Sequence, residues 1–376
     1  MKKNGQVPEK EKTALILLPS LEKGDGSAAA IINCYDALVY DGWKIDFLLL
    51  HDTQNERTEG IQKNGGKIFV LPSESKYSAA VKKMITFIVE NGNYVLVHVN
   101  IPGHVAYLTL KRAEKAGIPV RIFHCHNPRN NLNLKTRIST YIYDTLCLKW
   151  SNRLLSCSES AGRSRFRNRS FTVLKNGIES TIFQYDEEAR IILRKRMRME
   201  NAVVVGVVGR ITAQKNPFFL IDCFEAFRAL EPRAMLLWIG EGELEKKVRK
   251  KLKEKNLMCV CRFPGRLENV GKWYSAMDIF LLPSIFEGFG IVFLEAQCSG
   301  LLCYGSDGVP QEVEVTELMH RIPLKKDADY WAEIMECGFC GIAERRGRSD
   351  DLNLAGYTTE KTKNGLLKLY DFWCGA

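Results

Sequence analysis

Short apolar runs alternate with longer amphipathic stretches along this chain, and they do so in two series. The first series is "TALILLP", "KIDFLLL", "KIFVLP", "YVLVHV", "VRIFHCH", "RLLSCS" and "FTVLK". A charged stretch, "DEEARIILRKRMRME" at 186–200, precedes the second: "AVVVGVVG", "AMLLWIG", "VCRFPG", "DIFLLPS" and "LLCYGS". Runs this short fit buried strands rather than helices. Strand–helix alternation predicts parallel sheets, and two series predict two of them, an α/β chain of two Rossmann-like domains. With 376 residues and 45% apolar content, the chain can fill two cores. The first domain is expected over 1–180 and the second over 181–356, with a last helix over 357–376 packing back on the first. In open parallel sheets ligands bind beyond the carboxyl ends of the strands, so the site is expected in a cleft between the domains.

The stretch "SIFEGFGIVFLEAQ" (284–297) lies at such an end. It puts Glu287 at a strand terminus, Glu295 in the following helix, and Gly288 and Gly290 at the junction. Glycines there let backbone N–H groups at a helix start approach an anion. At about 1.5 Å rise per residue, Glu295 falls roughly 6–8 Å from those amides, the span from a nucleotide's terminal phosphate to its ribose hydroxyls. A surface turn with two solvated glutamates is the plain alternative. A second cluster, "GVVGRITAQKNP" (206–217), ends a strand with Arg210 and follows it with Lys215, before a helix expected to be capped by Asn216 and started by Pro217. Two such cations can neutralise a diphosphate without a metal. The only Asp-x-Asp triplet, "DAD" at 327–329, reads as a helix N-cap rather than a metal site.

Together with "IGEGELE", "RFPGRLENV" and "NGIESTIF", these stretches resemble the second domain of family 4 retaining glycosyltransferases of the GT-B fold. "GGKIFVLP", "GIPVRIFHCHN" and "SCSESAG" look like the first domain of the capsular and exopolysaccharide-synthesis branch. The resemblance implies transfer of a hexosyl or N-acetylhexosaminyl group from a nucleotide sugar, a UDP-sugar first, with no metal or other cofactor. Arg210 and Lys215 would hold the diphosphate and Glu295 the ribose. Glu287, with Gly288, Phe289, Gly290 and Ile291, would face the donor sugar and distal phosphate. The base would lie near "FPGR", at Arg266. The family commonly has a histidine near "HCHN" that contacts the donor sugar, which implies His124 or His126, with His124 favoured. Gly24 and Gly26 would form the first-domain loop, although no glutamate follows them where the family has one. His98 and Asn100 end the preceding strand and could line the acceptor side.

Other readings compete. "GDGSAA" (24–29) with Asp46 about twenty residues later also fits a nicotinamide-dinucleotide fingerprint, hence an oxidoreductase. A non-catalytic subunit keeping the fold is a third reading. The charge of +10 bears on partners, because Lys111 to Lys175 holds fourteen Lys/Arg against three Asp/Glu. Such a segment is either a solvated face or a surface for an anionic partner. Within it "LKTRISTYIYDTLCLKW" mixes basic and apolar positions as a membrane-surface helix does. The cations expected to face anionic lipid are Lys135, Arg137, Lys149, Arg163, Arg165, Arg167 and Arg169. A glycan or polyprenyl-diphosphate-linked acceptor at the inner membrane face would fit that surface. No nucleic-acid-binding signature is present, and no apolar run reaches the roughly 18 residues a span requires. Twelve cysteines scattered through apolar runs fit buried thiols in a reducing cytoplasm rather than a disulfide framework.

Overall fold

A computed structural model describes residues 11–22, 30–53, 55–73, 75–129, 134–340 and 345–375. The chain forms two compact units, one made of residues 1–174 and 360–376, the other of residues 175–359.

The first unit is built on β1 (Thr13–Leu18), β2 (Lys44–Leu49), β3 (Ile68–Val70), β4 (Leu96–Val99), β5 (Val120–Cys125), β6 (Arg153–Ser156) and β7 (Thr172–Val173). They form one parallel sheet in the order β3-β2-β1-β4-β5-β6-β7. β1 is buried throughout, as expected of a strand covered on both faces. Ile16, Phe47, Trp43 and Leu155 share its core with Leu366 and Tyr370 from the helix Thr359–Cys374.

The second unit holds β8 (Val203–Val208), β9 (Ala234–Ile239), β10 (Cys261–Gly265), β11 (Ile279–Leu282), β12 (Leu302–Ser306) and β13 (Met319–Ile322), in the order β10-β9-β8-β11-β12-β13. β13 has no counterpart among the sequence-predicted strands. Its "MHRI" carries two polar residues and pairs only with β12, so it lacks the apolar run of a central strand. In both sheets the order reverses at one point, between β1 and β4 and between β8 and β11. Loops leaving neighbouring strands diverge there, and a crevice opens at the carboxyl edge of that sheet.

Most sequence-predicted strands recur within a residue or two. The expected cap at Asn216 does not. Asn216 adopts a left-handed conformation (φ +53°) between the turn Ala213–Lys215 and the helix Pro217–Leu230, and its side chain accepts no capping hydrogen bond. Asp327 does cap its helix, accepting from the Tyr330 N–H at 3.0 Å. All twelve cysteines are free thiols, eight of them buried.

Candidate active site

The reversal in the second sheet pairs β8 with β11 directly, Val205 opposite Ile279. The segments after these two strands therefore start side by side. After β8 the backbone passes Gly209, whose N–H donates to Ile239 O at 3.0 Å. Gly240, at φ +138°, lies so close that a Cβ there would sit 2.2 Å from Gly209 O, so only glycine permits this approach. Ile211 N–H donates to Glu241 O at 2.9 Å, locking the two loops together.

The turn Ala213–Lys215 then reaches the loop after β11. Gln214 O accepts from Ile285 N–H at 2.8 Å, and Gln214 Nε2 donates to Phe286 O at 3.1 Å. These bonds deliver Lys215 to Glu287, with Nζ and Oε1 2.6 Å apart. Ser284 Oγ donates to the same oxygen at 2.5 Å, and Glu287 N–H donates to Gly308 O at 3.1 Å. Both side chains of the pair are largely buried. Sequence reasoning named these two residues for separate tasks, whereas here they are one ion pair. An ammonium has three hydrogens, so the pair orients Lys215 and leaves it further donors for an anion. Arg210 is exposed, and its guanidinium makes no hydrogen bond or ion pair among the described residues.

Beyond Glu287, Gly290 turns the chain at φ +92° into the helix Ile291–Cys298. Among the described residues the amides of Gly290 and Ile291 donate to no acceptor, which leaves a positive helix terminus open to an anion. Phe289 is buried with its ring 5.2 Å from that of Tyr357. Gly288 precedes it in the same turn. Glu295 lies further along the helix and accepts from the Tyr274 hydroxyl at 2.5 Å. Burial pushes its carboxyl up to about 7, against the downward pull of the Tyr274 bond. Arg266 is exposed, and its N–H donates to Glu241 Oε1 at 3.2 Å. Phe263 beside it stacks on Trp238 (6.2 Å) and lies under Arg249 (4.3 Å), offering a flat apolar neighbourhood. Sequence reasoning missed Ser284 and Tyr274. Ser284 opens the quoted stretch "SIFEGFGIVFLEAQ" and Tyr274 lies just before the strand run "DIFLLPS", but a lone hydroxyl carries no spacing signal.

Gly24 and Gly26 lie outside the described residues. His124 lies on β5 and His126 just beyond its end. His124 and His98 are 0% exposed, and His126 is 8% exposed. His98 therefore lines no surface, and His126 rather than the favoured His124 is the ring nearest solvent. Burial pushes the His98 imidazole down to about 3 and that of His124 well below its usual range, so both rings are neutral. Asp46 does not serve a dinucleotide ribose. It sits within β2 and accepts from Lys67 N–H (2.8 Å) and the Tyr94 hydroxyl (2.7 Å). Among the described residues no three His, Cys, Asp or Glu side chains are grouped to hold a metal ion.

The helix Leu134–Trp150 presents Ile138, Tyr141 and Ile142 at 50–55% exposure. Arg167 stacks on Tyr141 at 4.0 Å, while Arg137, Lys149, Arg163 and Arg169 are also exposed. The Lys135 side chain lies outside the described residues. Arg165 departs from the expectation. It is buried against Asp144, with Nη1 3.0 Å from Oδ1, so it cannot meet a lipid surface. No helix among the described residues is long and apolar enough to cross a membrane.

Comparison with known proteins places this geometry. Residues 190–320 match the family model "Glycosyl transferases group 1". The chain is 28% identical over 379 aligned residues to "Putative glycosyltransferase EpsF" of Bacillus subtilis, covering 96% of this chain and 97% of that one. It is 29% identical over 144 residues to the Escherichia coli UDP-Gal:alpha-D-GlcNAc-diphosphoundecaprenol alpha-1,3-galactosyltransferase, covering 36% of each. Among solved structures, Anabaena HepE in complex with UDP and glucose superposes with a TM-score of 0.79 at 15% identity, covering 95% of this chain and 98% of that one. WaaG, a glycosyltransferase of lipopolysaccharide biosynthesis, superposes at 0.69 with 14% identity, covering 96% and 100%. The segment 190–320, which carries Arg210, Lys215, Glu287 and Glu295, is thus similar to the glycosyl transferases group 1 family, on a chain with the two Rossmann-like domains of the GT-B fold.

Proposed function

We propose that this chain is a retaining glycosyltransferase. It moves a hexosyl or N-acetylhexosaminyl group from a UDP-sugar to a glycan or polyprenyl-diphosphate-linked acceptor during cell-surface polysaccharide synthesis. The observation that carries the reading is the Lys215–Glu287 pair, held beside an open helix terminus at the strand reversal of the second unit. The names of the relatives support the direction: EpsF for glycosyl transfer, and the E. coli enzyme for a UDP-sugar donor and a lipid-diphosphate acceptor.

In this reading the nucleoside diphosphate is the leaving group. Charge builds on its distal phosphate as the glycosidic bond breaks. Lys215, Arg210 and the amides at Gly290 and Ile291 meet that charge without reorganising, which is the main catalytic contribution. The departing phosphate oxygen takes the proton of the acceptor hydroxyl on the same face as the attack, so configuration is retained. Glu295 accepts from the ribose hydroxyls, and the base lies by Phe263 and Arg266. The cations do the work of a metal, so none is required. The exposed Ile138, Tyr141 and Ile142, ringed by arginines, rest on an anionic lipid surface where a lipid-linked acceptor would be met.

Thermal unfolding in the presence of UDP, GDP and ADP tests the donor assignment. A nucleotide that binds only the native state at 100 times its Kd adds about 2.7 kcal/mol. Stabilisation by UDP above the other two is expected. No stabilisation by any of them overturns the reading.

A further inference from the structure

The neutral histidines of the first unit form a continuous chain with a residue far away in sequence. Tyr370, on the helix Thr359–Cys374, has its hydroxyl 2.7 Å from His98 Nδ1. His98 Nε2 is 3.2 Å from His124 Nδ1. The His124 ring lies under that of His126, with centroids 4.0 Å apart, and His126 Nε2 is 3.2 Å from Asn100 Oδ1. Tyr370, His98 and His124 are completely buried, and His126 ends the series at the carboxyl edge of the sheet.

The direction of the chain follows from donor and acceptor strength. A phenol donates better than it accepts, and a neutral imidazole has one bare nitrogen. Tyr370 therefore donates to His98 Nδ1, and His98 carries its hydrogen on Nε2. That hydrogen goes to His124 Nδ1, which leaves the His124 hydrogen on Nε2. Each ring is thereby held in one tautomer and one orientation, and His126 packs on a fixed surface. Stability alone does not account for the cluster. Among the described residues His124 Nε2 and Asn100 Nδ2 are buried without a hydrogen-bond partner, and such atoms are costly to keep. Apolar side chains on these strands would pack without that loss.

We propose that Tyr370 is a positioning residue for sugar transfer. Acting through His98 and His124, it fixes the His126 ring at the carboxyl edge of the first sheet, where ligands of such sheets bind. The inference rests on the glycosyltransferase reading above and adds a residue from the end of the chain to it.

Tyr370→Phe removes one oxygen and keeps the ring that packs edge-on to Trp43 at 5.0 Å. Expected are a fall in kcat of about three- to tenfold, the scale of one lost hydrogen bond, and a nucleotide-sugar KM within about twofold of wild type. In long-range ¹H–¹⁵N spectra, His98 and His124 should each show one neutral tautomer in the wild type and an average of two in the variant. A packing role would leave the tautomers unchanged. His98→Gln, with Tyr370 intact, should lower kcat to a similar degree and guards against misfolding of the first variant. Wild-type kcat and tautomers in Tyr370→Phe, or wild-type kcat in His98→Gln, overturn this inference alone. Absence of transfer by the wild type from any nucleotide sugar removes the enzyme reading and this inference with it.

Discussion

At the strand reversal of the second unit an ammonium, a carboxylate, a free guanidinium and an open helix terminus lie on adjacent loops. Beside the corresponding reversal in the first unit, β4 and β5 and their ends carry three imidazoles and an amide, met by a phenol from the helix Thr359–Cys374, with two rings too deeply buried to take a proton. The sheets share one winding, so the difference lies in the residues placed at their edges. The second unit is equipped to stabilise charge. The first is equipped to hold uncharged groups in fixed orientation. A diphosphate leaving group, as proposed for the second unit, would make the first of those demands.

The largest effect should come from the charged edge. Lys215→Ala removes a cation from the leaving group and should cut transfer by about 10²–10³-fold, the range for a lost oxyanion donor. It also leaves Glu287 buried and unpaired, so stability should fall by up to about 3 kcal/mol. Adding Glu287→Gln should recover the melting temperature and not the activity. Recovery of both would mean that the pair is only structural.

At the first unit's edge, His126→Gln should lower transfer by about tenfold while UDP affinity stays at the wild-type value, since the proposed nucleotide site lies on the other unit. A matching loss of UDP affinity, measured by calorimetry, would erase the division of labour.

Glu295 sharpens the comparison through pH. In the proposed role its ionised form accepts from two ribose hydroxyls, and burial pushes its carboxyl up to about 7. UDP affinity should therefore rise as pH goes from 6 to 8, by up to about tenfold, each pH unit below the pKa costing up to tenfold. Glu295→Gln should bind more weakly at pH 8 and show a flat profile. A wild-type profile that falls over this range would exclude the ribose role.

Vesicle co-sedimentation should show a smaller effect. Ile138→Ser with Ile142→Ser should weaken binding to anionic vesicles about threefold to tenfold, and roughly 0.5 M salt should release the wild type. Equal binding to neutral vesicles would remove the lipid surface from the proposal. EDTA should change transfer least of all. Abolition with rescue by Mn²⁺ or Mg²⁺ would show that Arg210 and Lys215 do not suffice.

Local pattern made the strands legible, because a run such as "AVVVGVVG" has few other ways to be buried. It failed at β13, where "MHRI" is stabilised by one neighbour and carries no local hydrophobic signature. The charged residues of the site were legible as types at strand ends. Their pairing was not, since Lys215 and Glu287 are 72 positions apart and meet only through the Gln214 bonds. Arg165 shows the same limit from the other side. Its charge was visible in the basic run, but its partner Asp144 depends on how two helices pack. Tyr370 was silent for a similar reason, being one aromatic residue in an amphipathic helix. Asn216 misled because its left-handed geometry and its capping preference both favour asparagine.

The helix that carries Tyr370 also bears on how the protein is made. Lys175–Thr359 is one uninterrupted piece, whereas the first unit is completed by residues 360–376. A ribosome releases all seven strands of the first sheet before the second unit, but Leu366 and Tyr370, which fill its core beside Leu174, emerge only after that unit has been made. The first unit must therefore be completed after the second has been synthesised. A nascent chain halted before residue 360 holds every residue of the second unit and a first-unit core with its centre missing. Deleting residues 360–376 would accordingly injure the unit whose strands are farthest away in sequence.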